Sequence, residues 1–344
     1  SAPLLPPAST IPLMRKFSYL WHMDSYRIRK IAKGIPVNGD LEKKEWRDAE
    51  KSPRFVDAVG GTPGIYDTRA ALLWDDEALY AGFWVEEPSP AATLTERDSL
   101  LWIENDLEVF IAGKDTYYEL EMNALGVIYE VFYLWRDAYP QFDSSGKLIS
   151  GNPYFAKDRF DILKNGAVSF GGNFDRQDEH FWSGINPRGL RWVYRNWDFP
   201  GLEVAVRVDG KLNDPTVVSK GWTAEIKFPW KGFADLFGKE VVAPSEGAVL
   251  RLFLGRYNLF HFNGKPLNAG WSWHPIGVAD NHNPERFGTF RTGCSRSLRV
   301  RFRSRAPCQA GCRLLRSRSW MRERILSLRL HTPCCPALLR HLPT

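Results

Sequence analysis

Acidic and aromatic residues lie close together in two neighbouring stretches of the sequence, residues 101–111 (LWIENDLEVFI) and residues 117–123 (YYELEMN). An indole ring can stack on the apolar face of a sugar ring, while carboxylates, amides and guanidinium groups pair with the sugar hydroxyls. Such residue types indicate a carbohydrate site. The candidate sugar-binding residues are Trp102, Glu108, Glu121, Asn123, Arg256, Trp271 and Trp273.

These residues have other interpretations, which the sequence leaves open. A tryptophan is often part of a core, and the acidic face of an edge strand is often solvated. Glu108 and Glu121 could be the paired carboxylates of a glycosidase or a related lyase. Motifs of other enzyme classes, such as Gly-x-Ser-x-Gly and His-Glu-x-x-His, do not occur in the sequence. A haem-binding sandwich with Met122 as an iron ligand is a third alternative.

The stretches that carry the candidate residues have the two-residue period of β-strands. Leu107, Val109 and Ile111 fall on one face of the first stretch and Glu108 on the other, which predicts a half-buried strand with an acidic face. The second stretch alternates in the same way and pairs with the first. Residues 126–135 (GVIYEVFYLW) then form a third strand of this meander.

Further alternating runs complete an all-β pattern. The clearest hairpin lies at residues 68–85, and both faces of its strands are apolar, so these strands are predicted to be buried between two layers. Later strands are predicted at residues 202–208 and 221–229, and another begins at residue 248, with Arg251 and Arg256 on its outward face. About nine strands with little helix predict an antiparallel β-sandwich.

The chain divides by composition into three parts. Residues 1–30 are predicted to be a loose segment, residues 31–292 the sandwich with a long loop insertion at about 136–200, and residues 293–344 a non-conforming basic tail. From Cys294 onward the tail holds all five cysteines, twelve arginines and one acidic residue, a net charge of +11. Residues 1–293 therefore carry 34 basic and 39 acidic residues, or −5, although the whole chain is +6. The tail is expected to be disordered or a sequence artefact, and the basic pI gives the sandwich no reason to bind nucleic acid.

Membrane association is not expected either. No apolar run approaches the roughly 18–20 residues of a membrane span. The first residues, SAPLLPPASTIPLM, lack a charged start and a continuous hydrophobic segment, so they do not predict a signal peptide. The localisation is left open by the sequence.

Six motifs occur in an order that resembles the family 9 carbohydrate-binding modules. They are IPVNGDLEKKEW (35–46), LLWDDEALYAGFWVEEP (72–88), WIENDLEVFI (102–111), YELEMNALG (118–126), GWTAEIKFPW (221–230) and NPERFGTF (283–290). The resemblance covers roughly residues 35–291, apart from the insertion. It implies a non-catalytic β-sandwich that binds the ends of plant polysaccharides such as xylan, or small sugars, in carbohydrate catabolism.

The resemblance also implies roles for particular residues. Trp102 stands at the position of a stacking tryptophan, Glu108 at that of a sugar-binding glutamate and Asn123 at that of an asparagine. Glu121 stands where the family has an arginine. A second stacking tryptophan is implied near the C-terminal end, where two of the candidate tryptophans named above lie.

Cofactor and partners are implied in the same way. Members of the family often hold structural calcium, for which the sequence names no ligands. They usually accompany a glycoside hydrolase and are commonly secreted. The expected partner is therefore an oligosaccharide or polysaccharide, with a glycoside hydrolase as a second one.

Overall fold

The computed structural model describes residues 26–172, 186–241, 243–263 and 265–293. In chain order its strands are β1 (Arg27–Lys30), β2 (Val56–Asp57), β3 (Thr68–Trp74), β4 (Ala78–Glu86), β5 (Asp106–Ala112), β6 (Thr116–Met122), β7 (Ile128–Trp135), β8 (Gln141–Phe142), β9 (Leu148–Ser150), β10 (Val168–Phe170), β11 (Arg191–Tyr194), β12 (Glu203–Asp209), β13 (Gly221–Pro229), β14 (Val249–Phe262), β15 (Lys265–Ser272) and β16 (Gly288–Thr292). The α-helices are α1 (Lys44–Arg47) and α2 (Phe233–Phe237), and 3-10 turns lie at Leu101–Ile103, Arg136–Ala138, Pro153–Ala156, Asp158–Phe160, Trp230–Gly232 and Pro284–Arg286. None of the helices in these ranges has the length and apolar character needed to cross a membrane.

Two β-sheets form the sandwich and share one strand. Sheet A has the order β10-β11-β7-β6-β5-β14-β16-β1, with β15 following β16 along the same edge of β14 and β2 beyond β15. Sheet B has the order β1-β3-β4-β13-β12. The pairings within the two sheets are antiparallel, except that β1 pairs in parallel with both β16 and β3. The structure thus confirms the predicted all-β sandwich.

The core lies between the two sheets. Leu107, Val109 and Ile111 of β5 face it, as the period predicts, and they join Ala81 and Phe83 of β4 in one continuous apolar cluster. The side chains between these residues point to the outer face of sheet A, away from the core. The register of β5 against its neighbours then decides which of the outward side chains lie next to one another. The predicted hairpin forms as β3 and β4, and both are inner strands of sheet B.

Two predicted boundaries differ from the structure. The sandwich begins at β1, inside the segment 1–30 that was predicted to be loose, because Arg29 and Lys30 pair with the end of β3. The insertion at 136–200 is also more ordered than expected, since β11 and β10 extend sheet A beyond β7. Residues 1–25, 173–185 and the tail from residue 294 lie outside the described residues.

A second layer covers the outer face of sheet B. Trp46 on α1 is fully buried in a cluster with Leu41, and its ring lies over Gly82 of β4, where a Cβ atom would come within 3.0 Å of it. The indole Nε1 donates a 2.7 Å hydrogen bond to the buried Glu225 carboxylate. The backbone amide of Gly39 donates to the same carboxylate, so one buried acid anchors the segment that precedes β2.

A buried histidine near the start of β16 gives the fold a pH dependence. Burial lowers the pKa of His274 to about 4, and a hydrogen bond with the backbone of Arg286 only partly offsets this effect. The unfolded chain, whose histidine titrates near 6.5, therefore binds more protons between pH 6.5 and pH 4 than the folded chain does. The contribution of His274 to stability is intact above pH 6.5 and is lost as the pH falls towards 4.

We expect His274 to cost the wild type about 3 kcal/mol of unfolding free energy between pH 7 and pH 4. Urea unfolding at both pH values, compared with the His274→Gln variant, measures this contribution. The wild type should lose more stability than the variant over this interval. Equal losses in the two proteins would mean that the histidine is not titrating from a buried neutral state.

A candidate ligand site on the outer face of sheet A

A cavity of about 310 Å³ opens on the face of sheet A that points away from the core. Its floor is formed by β5, β6 and β7, and its walls by β10, β11 and the loop that precedes β16. The lining residues are Trp102, Glu108, Glu119, Glu121, Tyr129, Tyr133, Val168, Ser169, Phe170, Val193, Arg195, Asn281 and His282. The cavity thus combines aromatic walls with three carboxylates and one exposed arginine.

The strand register places the carboxylates together. Glu108 of β5 lies directly opposite Glu121 of β6, and the same face of β5 carries Asp106 two residues earlier. Carboxylate oxygens from these three residues all lie within 4.8 Å of one another. Like charges directly opposite each other on neighbouring strands are destabilising. An arrangement of this kind therefore has an energetic cost that a purely structural face would avoid.

Glu121 lies in an unfavourable electrostatic environment. Its side chain is 2% exposed, and its Oε2 atom accepts no hydrogen bond from the residues that the structure describes. Burial raises the pKa of Glu121 well above its usual value, and the carboxylates of Asp106, Glu119 and Glu108 raise it further, while a hydrogen bond from the Trp102 backbone acts in the opposite direction. The carboxyl group therefore takes up a proton far more readily than an exposed glutamate.

The loop before β16 supplies polar groups from above. Asn281 donates a hydrogen bond of 2.5 Å from its Nδ2 atom to Oε2 of Glu108, which fixes the orientation of that carboxylate. The Asp280 side chain accepts from the backbone amide of His282 at 3.0 Å and shapes the loop. The guanidinium group of Arg191 donates to the carbonyl oxygen of His282. The loop is thus held against sheet A by contacts on both sides.

The third acid of the lining, Glu119, belongs to an aromatic network. The Tyr133 hydroxyl donates to its Oε2 atom at 2.5 Å, and the His282 ring nitrogen Nε2 lies 3.9 Å from its Oε1 atom. Tyr133 stacks on Tyr117 at 4.3 Å between ring centroids, and the Tyr117 hydroxyl lies 3.2 Å from the other nitrogen of His282. Burial raises the pKa of both tyrosines well above the usual value, so their hydroxyl groups remain protonated hydrogen-bond donors.

Trp102 forms one wall beside these acids. It lies on the 3-10 turn that leads into β5, where the fully buried Leu101 anchors the backbone and leaves the Trp102 ring half-buried. The indole contacts Tyr129 in an edge-to-face arrangement, with 5.2 Å between ring centroids. A half-buried indole that is held by a neighbouring ring can present its remaining face to a ligand.

The acidic face of β5 is not the solvated face of an edge strand. β5 lies between β6 and β14, and Phe110 on that face is fully buried. Phe253 of β14 and Phe287 pack against Phe110 at 5.7 and 5.8 Å, and the His282 ring packs at 5.5 Å. The face is covered by residues that are remote in the sequence, and only the part around Glu108 and Glu121 remains open to the cavity.

The structure brings three of the seven candidate residues to the cavity: Trp102, Glu108 and Glu121. Asn123 is fully buried in the turn after β6, where its Nδ2 atom donates to Glu104 at 2.8 Å and to the Leu94 carbonyl at 2.9 Å. Its Oδ1 atom accepts from two backbone amides of the turn. Asn123 therefore holds the turn, because β6 has ended at Met122 and the alternation no longer applies.

The other three candidates are buried outside the cavity. Arg256, predicted to face outward, instead lies on the core-facing side opposite Leu107, with Nη1 donating to Thr68 at 2.8 Å. The prediction was wrong because Arg256 is two residues from Leu254 and shares its face. Burial lowers the pKa of Arg256 to about 10, and the Coulomb attraction of Glu87 partly offsets this effect.

Trp271 and Trp273 are 3% and 5% exposed and belong to the core cluster. Met122 also faces this core rather than the cavity.

Several residues of the cavity are not among the seven candidates that the sequence indicates. Glu119 could have been found, because it alternates with Glu121 on the same face of β6. His282 lies in the loop before β16, where nothing in the local sequence indicates a site, and the fold brings the centroid of its ring to 4.7 Å from that of Phe170. Arg195, at the cavity rim just after β11, belongs to the insertion, where no period predicted a strand.

No model of a known protein family matches the sequence, and no curated protein matches it. Among solved structures, the chain is similar to a candidate carbohydrate-binding protein from Bacteroides uniformis, with 14% identity, coverage of 77% of this chain and 97% of the other, and a TM-score of 0.44. It is also similar to a family 9 carbohydrate-binding module from Caldicellulosiruptor kristjanssonii in complex with cellotriose, with 11% identity, coverage of 83% and 99%, and a TM-score of 0.39. A family 9 module from the same organism in complex with glucose is similar at 11% identity, with coverage of 79% of this chain and 98% of the other, and a TM-score of 0.37.

Proposed function

We propose that the cavity on sheet A binds a carbohydrate without transforming it. The observation that carries the proposal is the half-buried Trp102 ring beside the Glu108 carboxylate, which Asn281 holds in place. The ring supplies an apolar platform for the C–H face of a sugar, and the carboxylate accepts hydrogen bonds from adjacent hydroxyls. An oriented acceptor beside a fixed ring gives directional recognition at little conformational cost.

The size of the cavity favours a small part of a glycan. A volume of about 310 Å³ is at the lower end of the range for ligand pockets. The ligand is therefore a monosaccharide, a disaccharide or the end of a longer chain, and plant polysaccharides such as xylan are the class that the motif resemblance implies. By the same resemblance, the protein would act in polysaccharide catabolism together with a glycoside hydrolase.

Binding agrees with the geometry better than hydrolysis does. The carboxylates of a glycosidase flank the scissile bond, at about 5–5.5 Å in retaining enzymes and further apart in inverting ones. Oxygens of Glu108 and Glu121 lie within 4.8 Å, on neighbouring strands of one sheet face, so they approach a ligand from the same side. The raised pKa of Glu121 suits a general acid, but both carboxylates lie on one sheet face rather than on opposite walls of the cavity.

Isothermal titration of the folded protein with glucose, cellobiose, xylobiose and soluble xylan tests the proposal. We expect binding of at least one of these sugars, accompanied by a change in tryptophan fluorescence because Trp102 lines the cavity. Chromogenic glycosides should bind without being turned over. A folded protein that gives no heat with any sugar would contradict the proposal.

A further inference from the structure

The cavity on sheet A presents mainly carboxyl groups and aromatic rings to a ligand. Glu108, Glu119 and Glu121 line it and are 3%, 4% and 2% exposed. Among the described residues of the lining, the side chain with a permanent positive charge is Arg195, which is exposed at the rim. A neutral sugar uses the carboxyl groups only as hydrogen-bond acceptors, whereas a cationic sugar also gains from their charge.

Glu121 differs from the other two acids in its hydrogen bonds. Asn281 donates to Glu108 and Tyr133 donates to Glu119, so these carboxylates are held by the protein. The Oε2 atom of Glu121 is buried and accepts no hydrogen bond from the described part of the chain, although the side chain lines the cavity. A buried polar atom of this kind calls for a partner, and an ionised carboxylate has only acceptor positions. The partner that fits is therefore a hydrogen-bond donor of the ligand.

The walls around Glu121 are aromatic. Trp102 and Tyr129 pack edge to face on one side, and the rings of Tyr133 and Phe170 lie 5.7 Å apart between centroids. The faces of such rings attract positive charge, which is how aromatic cages bind ammonium groups. We propose that the cavity prefers a sugar that carries a primary amino group, whose ammonium form donates to Glu121 between these rings. This inference rests on the proposed function and names the class of sugar.

The electrostatic field at Glu121 supports the preference. Burial raises the pKa of Glu121 well above its usual value, and the carboxylates of Asp106, Glu119 and Glu108 raise it further. The effect of the neighbouring acids reports a negative potential at this position, since anions nearby favour the protonated form. A potential that holds a proton on Glu121 also attracts an ammonium group. When the ammonium group binds, the proton of Glu121 passes to the solvent.

The geometry distinguishes an amino group from a hydroxyl group. A hydroxyl has one proton to donate, whereas a primary ammonium group has three. Oxygens of Glu108 and Glu121 lie within 4.8 Å of each other, so one ammonium group can donate to both. An N-acetylated amine has lost the charge, and it adds bulk to a cavity of only about 310 Å³. The free amine is therefore preferred over both the hydroxyl and the acetylated form.

Isothermal titration with glucose, glucosamine and N-acetylglucosamine tests the inference. The three sugars share one ring and differ in the group on a single carbon atom. In phosphate buffer at pH 7, we expect the wild type to bind glucosamine at least about tenfold more tightly than glucose. N-Acetylglucosamine should bind no more tightly than glucose. Amine buffers such as Tris are left out because they compete for the same carboxyl group.

The preference should also depend on pH. The titratable and charged groups around Glu121 are Asp106 and Glu108 on β5, Glu119 on β6, Tyr129 on β7, Arg195 after β11 and His282 in the loop before β16. Because the ammonium group displaces the proton of Glu121, the ratio of the two affinities should be larger at pH 7 than at pH 5. Protonation of His282 at pH 5 acts in the same direction, so a variant of Glu121 has to separate the two effects.

Two glutamate variants make the test specific. Glu121→Gln keeps the shape of the side chain and removes its charge, so the ratio of glucosamine to glucose affinity should fall towards one and lose its dependence on pH. Glu130→Gln is the matched control, because Glu130 is 1% exposed and faces the core side of the neighbouring strand β7. This control should keep the ratio of the wild type.

The outcomes separate this inference from sugar binding itself. Equal affinities of the wild type for glucose and glucosamine would overturn the inference and leave the proposed function standing. No heat with either sugar would overturn both. A preference for glucosamine that persists in Glu121→Gln, with its pH dependence unchanged, would also contradict the role of Glu121. The comparison of sugars on the wild type decides the case even if a variant does not fold.

Discussion

Trp102→Ala is expected to remove most of the sugar affinity while the protein stays folded. The half-buried indole lines the cavity beside Glu108 and makes an edge-to-face contact with Tyr129. Loss of an aromatic anchor at the centre of a binding site commonly costs about 2 kcal/mol, which is roughly thirtyfold in Kd. Because the ring is not enclosed by the core, the free energy of unfolding should fall by only about 1 kcal/mol.

Trp84→Ala is the matched control for this experiment. Trp84 is also half-buried, but it lies on the outer face of sheet B, where Lys51 is 3.8 Å above its ring. It lines a separate and larger groove of about 840 Å³, so a titration with this variant also tests where the sugar binds. We expect wild-type affinity for Trp84→Ala in isothermal titration. If the control loses affinity and Trp102→Ala keeps it, the sugar site has been assigned to the wrong sheet.

Trp46→Ala is expected to have the largest effect on stability, a loss of about 3–5 kcal/mol. The indole is fully buried, packs on the backbone of Gly82 and donates a hydrogen bond to the buried carboxylate of Glu225. Its removal leaves a cavity that the rigid face of sheet B cannot close, and it takes one donor from a buried acid. Lys43 and the Gly39 amide would remain as partners of that acid.

Urea unfolding at pH 7 measures this loss, with Trp84→Ala again as the control. The rings of Trp46 and Trp84 pack edge to face, with 6.3 Å between their centroids. Because Trp46 is fully buried and Trp84 only half-buried, the Trp84→Ala control should lose clearly less stability. Sugar affinity of Trp46→Ala, measured where the variant is still folded, should match the wild type because the two rings and the cavity lie on different sheets. A loss below about 1 kcal/mol would show that the layer over sheet B contributes little.

The sequence was sufficient for the regularly alternating strands and for the core face of β5. A strict two-residue period, as at Leu107, Val109 and Ile111, reports which face is buried because the pleat leaves no other choice. The opposite face could not be predicted in the same way. Phe110 is covered by Phe253 and by His282, and such contacts between distant parts of the chain leave no local pattern.

Only part of the candidate site could be predicted, because the rest of it also depends on contacts between distant parts of the chain. Trp102, Glu108 and Glu121 lie within or beside regular strands, so their residue types and spacing were informative. Asn123 failed because β6 ends one residue earlier. Asn281 could not be predicted as a partner of Glu108, because the loop that carries it reaches sheet A only in the folded chain.

The shared strand β1 also bears on how the protein reaches its native state during synthesis. β1 is made first among the described strands, yet one of its two neighbours, β16, is the last, with Arg27 opposite Arg291. Until β16 emerges from the ribosome, one edge of β1 has no strand to pair with, and exposed strand edges promote association between chains. Pairing between the two ends of a chain also slows folding, to the millisecond-to-second range that is typical of such sandwiches. Production of the protein should therefore benefit from slow translation at low temperature or from chaperones that shield this edge.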